Sequence, residues 1–115
     1  MRRLAGTLVA GLLLAAPSTA QAHTLTMGLA LAKARRYAAA LAVVTFPTQN
    51  ATSQVTRCVR VTAHAVDCAF FTLSESDPVL QRRFRCDETV QVYYATSRSH
   101  YRHTRPIGMP RCQRE

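Results

Sequence analysis

Apolar residues recur at steps of three and four between residues 26 and 45. This spacing places them on one face of a helix, because an α-helix turns once every 3.6 residues. The face consists of Met27, Ala30, Leu31, Ala34, Ala38, Leu41 and Thr45. Thr26 suits an N-cap, and Phe46 precedes a proline, which disfavours the α conformation. We predict a helix over 26–45 whose small side chains allow it to lie close to a sheet.

After the helix the period of the apolar positions changes to two, which is typical of β-strands. A polar loop at 74–78 and a turn at 96–99 interrupt this alternation. The four predicted strands are 54–62, 65–73, 81–96 and 99–106. The pattern therefore predicts an α+β fold, in which one N-terminal helix packs on a four-stranded antiparallel meander sheet held by two disulfides.

The stretch CVRVTAHAVDC, residues 58–68, contains four groups that can bind metal. If its turn is centred near residue 63, Cys58 and Cys68 face each other across the hairpin, close enough for a disulfide. His64 then lies at the turn, far from the cysteines, whereas zinc needs its ligands around one point. The register favours a disulfide over a zinc site. It also sets Asp67 diagonal to Arg57, which could neutralise it.

Cys86 and Cys112 form the second predicted pair. Folding the chain at residues 97–98 brings residue 86 opposite about residue 109, so Cys112 reaches it through a bulge or a short overrun. Four cysteines allow three connectivities, and the crossed pairings stay open at this point.

The first 22 residues have the features of a signal peptide: a basic start, an apolar stretch and the small-x-small ending Ala20-Gln21-Ala22. The apolar stretch is shorter than the ~20 residues of a membrane span, and an uncleaved anchor is the alternative. We expect cleavage after Ala22 and a single small domain over 23–115, secreted or associated with the cell envelope. Disulfides agree with such an oxidising location.

The chain is strongly basic, with a formal net charge of +9, and Lys33 is its only lysine. Positive charge favours attachment to anionic cell walls, lipids or nucleic acid. The C-terminal half interleaves arginines with tyrosines, which suits polyanion binding; a solvated sheet face is the alternative. These residues are Arg82, Arg83, Arg85, Arg98, Arg102, Arg105, Arg111, Arg114, Tyr93, Tyr94 and Tyr101. Because an exported protein meets little nucleic acid, we expect no specific nucleic-acid partner.

Cleavage after Ala22 would expose His23, whose amine and imidazole can chelate copper if His100 or His103 completes the site. This start resembles that of secreted copper chaperones and lytic polysaccharide monooxygenases, but only in one residue, and those proteins are β-sandwiches. His100 and His103 are three residues apart, so on a strand they point to opposite faces. Copper is therefore a minor alternative, and we expect no cofactor.

A small secreted nuclease is the second minor alternative. Glu88, His100 and the sheet arginines supply the residue types of an acid, a base and a phosphate clamp. The arrangement Tyr93-Tyr94…His100-Tyr101 is loosely similar to secreted ribonucleases. Their Asn-Arg-Glu catalytic strand has no match in this chain, so we assign no catalytic residue.

The run from Cys58 to Val66-Asp67-Cys68, after an Ala/Arg-rich helix, resembles a loose group of short exported actinobacterial proteins whose activity is unassigned. The order of elements is also similar to cystatin-like and β-lactamase-inhibitor-like folds. The Gln-x-Val-x-Gly loop of cystatins is absent, so that resemblance transfers no inhibitory residue.

We therefore expect a secreted, disulfide-stabilised, monomeric binding protein that is not an enzyme. An inhibitor-like role is one form that this binding could take. Its partner would be a protein or an anionic component of the cell envelope. Polyanion or envelope binding and copper binding are the alternatives. The candidate binding residues are His64, Tyr93, Arg98, Tyr101 and Arg102.

Overall fold

A computed structural model describes residues 24–47, 49–79, 81–96, 98 and 101–115. One helix precedes four antiparallel strands whose order in the sheet is that of the chain. The elements are α1 (Met27–Thr45), β1 (Thr52–Thr62), β2 (Ala65–Leu73), β3 (Phe84–Tyr93) and β4 (His103–Arg114). The predicted α+β class and meander order are confirmed.

Helix α1 begins and ends where the sequence predicts. The Thr26 hydroxyl accepts a hydrogen bond from the amide of Leu29 at 3.2 Å, and Phe46 is the C-cap. The buried stripe consists of Ala30, Ala34, Ala38 and Ala42. Met27 and Thr45, which the periodicity placed on this face, are exposed. Only the alanines are small enough to lie at the line of closest approach.

The core lies between this alanine stripe and one face of the sheet. Val66, Cys68 and Phe70 of β2 are buried there, as are Val90 and Val92 of β3. Tyr37 of α1 meets Phe70 edge-on, with 5.9 Å between ring centroids. The helix packs mainly over β1 and β2 and contacts β4 least. One half of the sheet is therefore much better covered than the other.

The β1–β2 hairpin has the predicted register. Cys58 pairs with Cys68, the two are bridged, and their Cα atoms are 4.0 Å apart. The turn at Ala63–His64 is tied to the start of the helix, because the Leu25 amide donates to the Ala63 carbonyl at 2.9 Å. Arg60 also donates to the carbonyls of Leu25, Thr62 and Ala63. These hydrogen bonds connect the turn of the hairpin to the segment that begins the helix.

The second predicted disulfide, Cys86–Cys112, is also present, with a Cα separation of 3.9 Å. The strands around it differ from the prediction. β3 is shorter than 81–96, and β4 runs over His103–Arg114 where 99–106 was predicted. The β3–β4 register shifts between Asp87 and Thr89, which is the bulge that brings Cys112 opposite Cys86. Proline can occupy β4 because this is an edge strand.

Residues 1–22 and His23 lie outside the described residues, so the predicted signal peptide, its cleavage and the bounds of the mature domain stay predictions. In the part of the chain that is described, no helix has the length and apolar character needed to cross a membrane.

The alanine stripe generates a first prediction. Ala38→Leu should destabilise the protein by roughly 1–3 kcal/mol, because Ala38 is fully buried and a larger side chain would push α1 off the sheet. Ala39→Leu, one residue further on the exposed side, should change the free energy of unfolding by less than about 0.5 kcal/mol. Urea unfolding of both variants measures this difference. Equal effects would show that the stripe does not set the helix position.

The two disulfides should differ in their contributions. Replacing either pair by alanine should cost about 2–4 kcal/mol, with the larger loss for Cys86–Cys112. That bridge joins residues 26 apart, whereas Cys58–Cys68 joins residues 10 apart, so it constrains the unfolded chain more. Each pair has one buried member, Cys68 or Cys86, while Cys58 is half-buried and Cys112 is exposed. Urea unfolding of the two double variants tests the order, and a larger loss from the Cys58–Cys68 pair would contradict it.

Candidate binding face

The face of the sheet that points away from α1, here called the outer face, carries a row of three linked polar side chains. Asp67, Gln91 and Arg105 lie side by side on β2, β3 and β4. The Gln91 amide nitrogen donates to Asp67 Oδ1 at 2.8 Å, and the Arg105 guanidinium donates twice to Gln91 Oε1. Gln91 is only 7% exposed. Both ends of its amide are satisfied, so its orientation is fixed.

Two aromatic rings extend this row. Tyr93 and His103 are opposite each other on β3 and β4, with ring centroids 5.4 Å apart. The Arg105 guanidinium lies over the Tyr93 ring, 4.4 Å from its centroid, which is a cation–π contact. We call Asp67, Gln91, Tyr93, His103 and Arg105 the Gln91 cluster. Its members hold one another in place without any ligand.

A second arginine–aromatic group lies at the other end of the outer face. The Arg85 guanidinium is 4.0 Å from the centroid of Phe71. Arg85 also forms ion pairs with Asp87, at 3.0 Å, and with Glu115, at 3.9 Å. These side chains are partly exposed, so the ion pairs add little stability. They do fix the direction of the Arg85 side chain.

A shallow depression separates the two groups. Ala69, Thr89 and Ile107 form the middle row of the outer face. They contribute to a concavity of about 390 Å³, which Arg111 and Gln113 also line from β4. The middle of the face is thus small and partly apolar, and charged groups lie at its two ends. This arrangement is typical of a contact surface more than of a closed catalytic cleft.

The described structure brings the five predicted binding residues to one end of the sheet, although in different settings. Tyr93 belongs to the Gln91 cluster. His64 is half-buried in the β1–β2 turn, and its carbonyl accepts from the amide of Tyr94 at 2.9 Å. Arg98, Tyr101 and Arg102 lie in the β3–β4 connection. Their role in binding stays a prediction.

The interleaved arginines do not form one continuous patch. Arg85, Arg105 and Arg111 lie on the outer face. Arg114 contacts the Phe84 ring, 5.5 Å from its centroid. These two residues pair on the same, helix-facing side of the sheet as Cys86 and Cys112. Arg82 and Arg83 precede β3. The meander separates them because alternate residues of a strand point to opposite faces.

The metal alternatives receive no geometric support. His23 and His100 lie outside the described residues. His103 is paired with the Tyr93 ring. No group of three or more His, Cys, Asp or Glu side chains that could hold a metal ion occurs among the residues described.

Glu88, the acid considered for a nuclease, lies on β3 opposite Phe70 and hence on the helix-facing side of the sheet. Burial raises the pKa of its carboxyl group above the ordinary value of glutamate. The outer-face row of Asp67, Gln91 and Arg105 is therefore on the opposite side of the sheet from this carboxyl. Glu88 and the Gln91 cluster do not form a common site.

Sequence patterns did not indicate Asp67, Gln91 and Arg105 as one functional group. The hairpin register predicted Arg57 as the partner that could neutralise Asp67, whereas Gln91 is the donor to Asp67 in the structure. The signal that could have found them is register. Had the β2–β3 pairing been known, Gln91 would have been recognised as a polar side chain directly between an acid and a base.

Comparisons with known proteins add no family to this geometry. No family model, no curated protein and no solved structure matches the chain. The resemblances suggested by the sequence therefore stay expectations.

The raised pKa of Glu88 predicts how stability depends on pH. The folded state binds this proton more tightly than the unfolded state, so the stabilisation is present below the unfolded pKa of Glu88 and is lost as the pH rises through the folded pKa. Glu88→Gln removes this loss. The free energy of unfolding of the variant, relative to that of the original protein, should therefore rise as the pH rises from the unfolded to the folded pKa of Glu88. Urea unfolding at a series of pH values measures the difference, and a difference that falls with pH would contradict it.

Proposed function

We propose that this protein is an exported, disulfide-stabilised binding protein whose contact surface is the outer face of its sheet. The observation that carries the proposal is the Gln91 cluster, in which a buried amide bonded to Asp67 holds Arg105 over the Tyr93 ring. A side chain already held in place loses less conformational entropy on binding. The two disulfides limit movement of the strands that carry the cluster.

The partner we propose is a protein or an anionic component of the cell envelope. The outer face presents four arginines against three carboxylates: Arg57, Arg85, Arg105 and Arg111 against Asp67, Asp87 and Glu115. Asp67 is already bonded to Gln91, and the other two carboxylates are paired with Arg85. The face therefore attracts negative charge, and its tyrosine and arginine are residue types that often anchor interfaces.

Polyanion binding is the second candidate, and the same excess of arginine favours it. The two candidates differ in salt dependence. Binding to a polyanion releases counterions, so its affinity falls steeply with salt concentration. Binding to a folded protein surface through Tyr93 and the central depression would depend on salt much less.

The experiment that tests the proposal places a photo-crosslinking amino acid at Ile107, in the central depression. A matched variant carries it at Ala39, on the exposed side of α1. In intact exporting cells, the Ile107 probe should give a discrete adduct that becomes at least about tenfold weaker with Arg105→Ala, a loss typical of an arginine anchor. The Ala39 probe should give none.

Several results would overturn the proposal. Equal adducts from both positions would mean that the outer face is not the contact surface. Turnover of RNA or peptide that a single His or Glu substitution abolishes would identify an enzyme instead. Heparin binding whose affinity falls steeply with salt, together with no adduct at Ile107, would select the polyanion binder over the primary proposal.

A further inference from the structure

The two edges of the sheet differ in their ability to accept another strand. β4 carries Pro106 and Pro110, which have no backbone N–H, and between them Gly108 has a φ of 74°. Such features are common protection against strand addition. β1 contains no proline and no glycine, and among the described residues it pairs with β2 alone. Its second side therefore keeps backbone donors and acceptors that another strand can pair with.

A groove runs along this free edge, between α1 and β1. One part, of about 390 Å³, is lined by residues that include Met27, Leu31, Val55 and Arg57. An adjoining part, of about 370 Å³, includes Ser53 and Gln54. Both parts share Arg35 and Val55, so they adjoin each other along the strand.

The groove is open at Gly28. A Cβ atom at this position would meet no atom within 4 Å. The alanine stripe explains the groove, because it brings the helix axis close to β2 and leaves the flanking side chains of Met27, Leu31 and Arg35 above the edge strand. Alternate side chains of an added strand would point toward this groove.

The charge of the groove selects its occupant. Arg35 lines it from α1. Arg57 borders it on β1, but its pairing with Ala69 turns its side chain to the outer side of the sheet. The ion pairs found in the described residues both involve Arg85. The whole chain has 15 basic residues and only 6 acidic ones, so internal partners for these arginines are scarce. A segment with carboxylates on alternate positions would direct them toward Arg35 while its backbone pairs with β1.

A second copy of the chain fits this edge poorly. The β1–β2 register shifts after Val55 and again after Arg60, so β1 is not one long flat edge. Two antiparallel β1 strands would have to match these shifts.

We propose that the free edge of β1 and its groove take up an extended, acidic segment of another protein as a fifth strand. Backbone pairing to residues 53–58 supplies the affinity, and the groove with Arg35 supplies the selectivity for an acidic segment. This site is additional to the outer face and does not depend on it, because no member of the Gln91 cluster takes part.

The test uses the full exported chain with both disulfides formed. The probe is an acetylated, amidated peptide of five Glu-Val repeats, followed by amide NMR titration and hydrogen exchange. Amides of residues 53–58 should shift and exchange more slowly, while those of β4 should not. A peptide of five Lys-Val repeats should bind at least about tenfold more weakly, as should the Glu-Val peptide with N-methyl groups on alternate residues.

Protein variants separate the groove from general charge. Arg35→Glu should weaken binding of the Glu-Val peptide at least about tenfold, whereas Arg36→Glu, the neighbouring and exposed arginine, should leave it within about twofold. Gly28→Glu should also weaken binding. It introduces a carboxylate beside the groove in the first turn of α1, where negative charge stabilises a helix, so loss of folding would not explain the effect.

Each opposite result overturns the inference. No binding at millimolar peptide, equal binding of the Lys-Val or N-methylated peptide, or shifts confined to β4 or the Gln91 cluster would remove the β1 site. Protection of β1 amides that increases with protein concentration, without peptide, would assign the edge to a second copy. Failure here leaves the crosslinking result at Ile107 unaffected, so the two proposals fail separately.

Discussion

The close packing of α1 on the β1–β2 half of the sheet is the interaction on which the rest of the structure depends. Four alanines form the contact line, and their small side chains allow the helix to cover Val66, Cys68 and Phe70 directly. One helix of 19 residues covers only part of a four-stranded sheet. Because α1 lies over β1 and β2, β4 receives almost no packing and is mostly exposed. Packing alone would not hold β4 in place. The Cys86–Cys112 bridge attaches β4 to the buried side of β3.

The same constraint explains the polar character of the outer face. No second layer covers this side among the described residues, so a continuous apolar surface there would favour aggregation. The protein instead places Gln91 in the middle of β3, with an acid on one side and a base on the other. A buried amide with unpaired groups would be costly, and here both are bonded. The face is therefore polar and ordered at the same time, which is what a binding surface requires.

Local patterns predicted the parts of the fold that local forces determine. The bounds of β2, the caps of α1 and the pairing of Cys58 with Cys68 all follow from short stretches of chain. The end of β4 did not, because the segment with Pro106, Gly108 and Pro110 has no strand pattern in the sequence, whereas an edge strand tolerates proline. The Asp67–Gln91–Arg105 row was missed because it depends on register across the long β2–β3 and β3–β4 connections. Side chains separated by 24 and 14 residues give no signal in a local window.

The two proposed surfaces have a common origin in the shortage of carboxylates. With 6 acidic residues against 15 basic ones, internal neutralisation can reach only some of the arginines. Arg105 is bonded to Gln91, which is bonded in turn to Asp67, and Arg85 is paired with Asp87 and Glu115. These contacts engage Asp67, Asp87 and Glu115, which are half of the six acidic residues of the chain. Arg35 and Arg57 lie at the opposite edge of the sheet, beside an open groove and an unpaired backbone. An acidic segment at this edge would supply both a partner charge for Arg35 and the missing backbone hydrogen bonds.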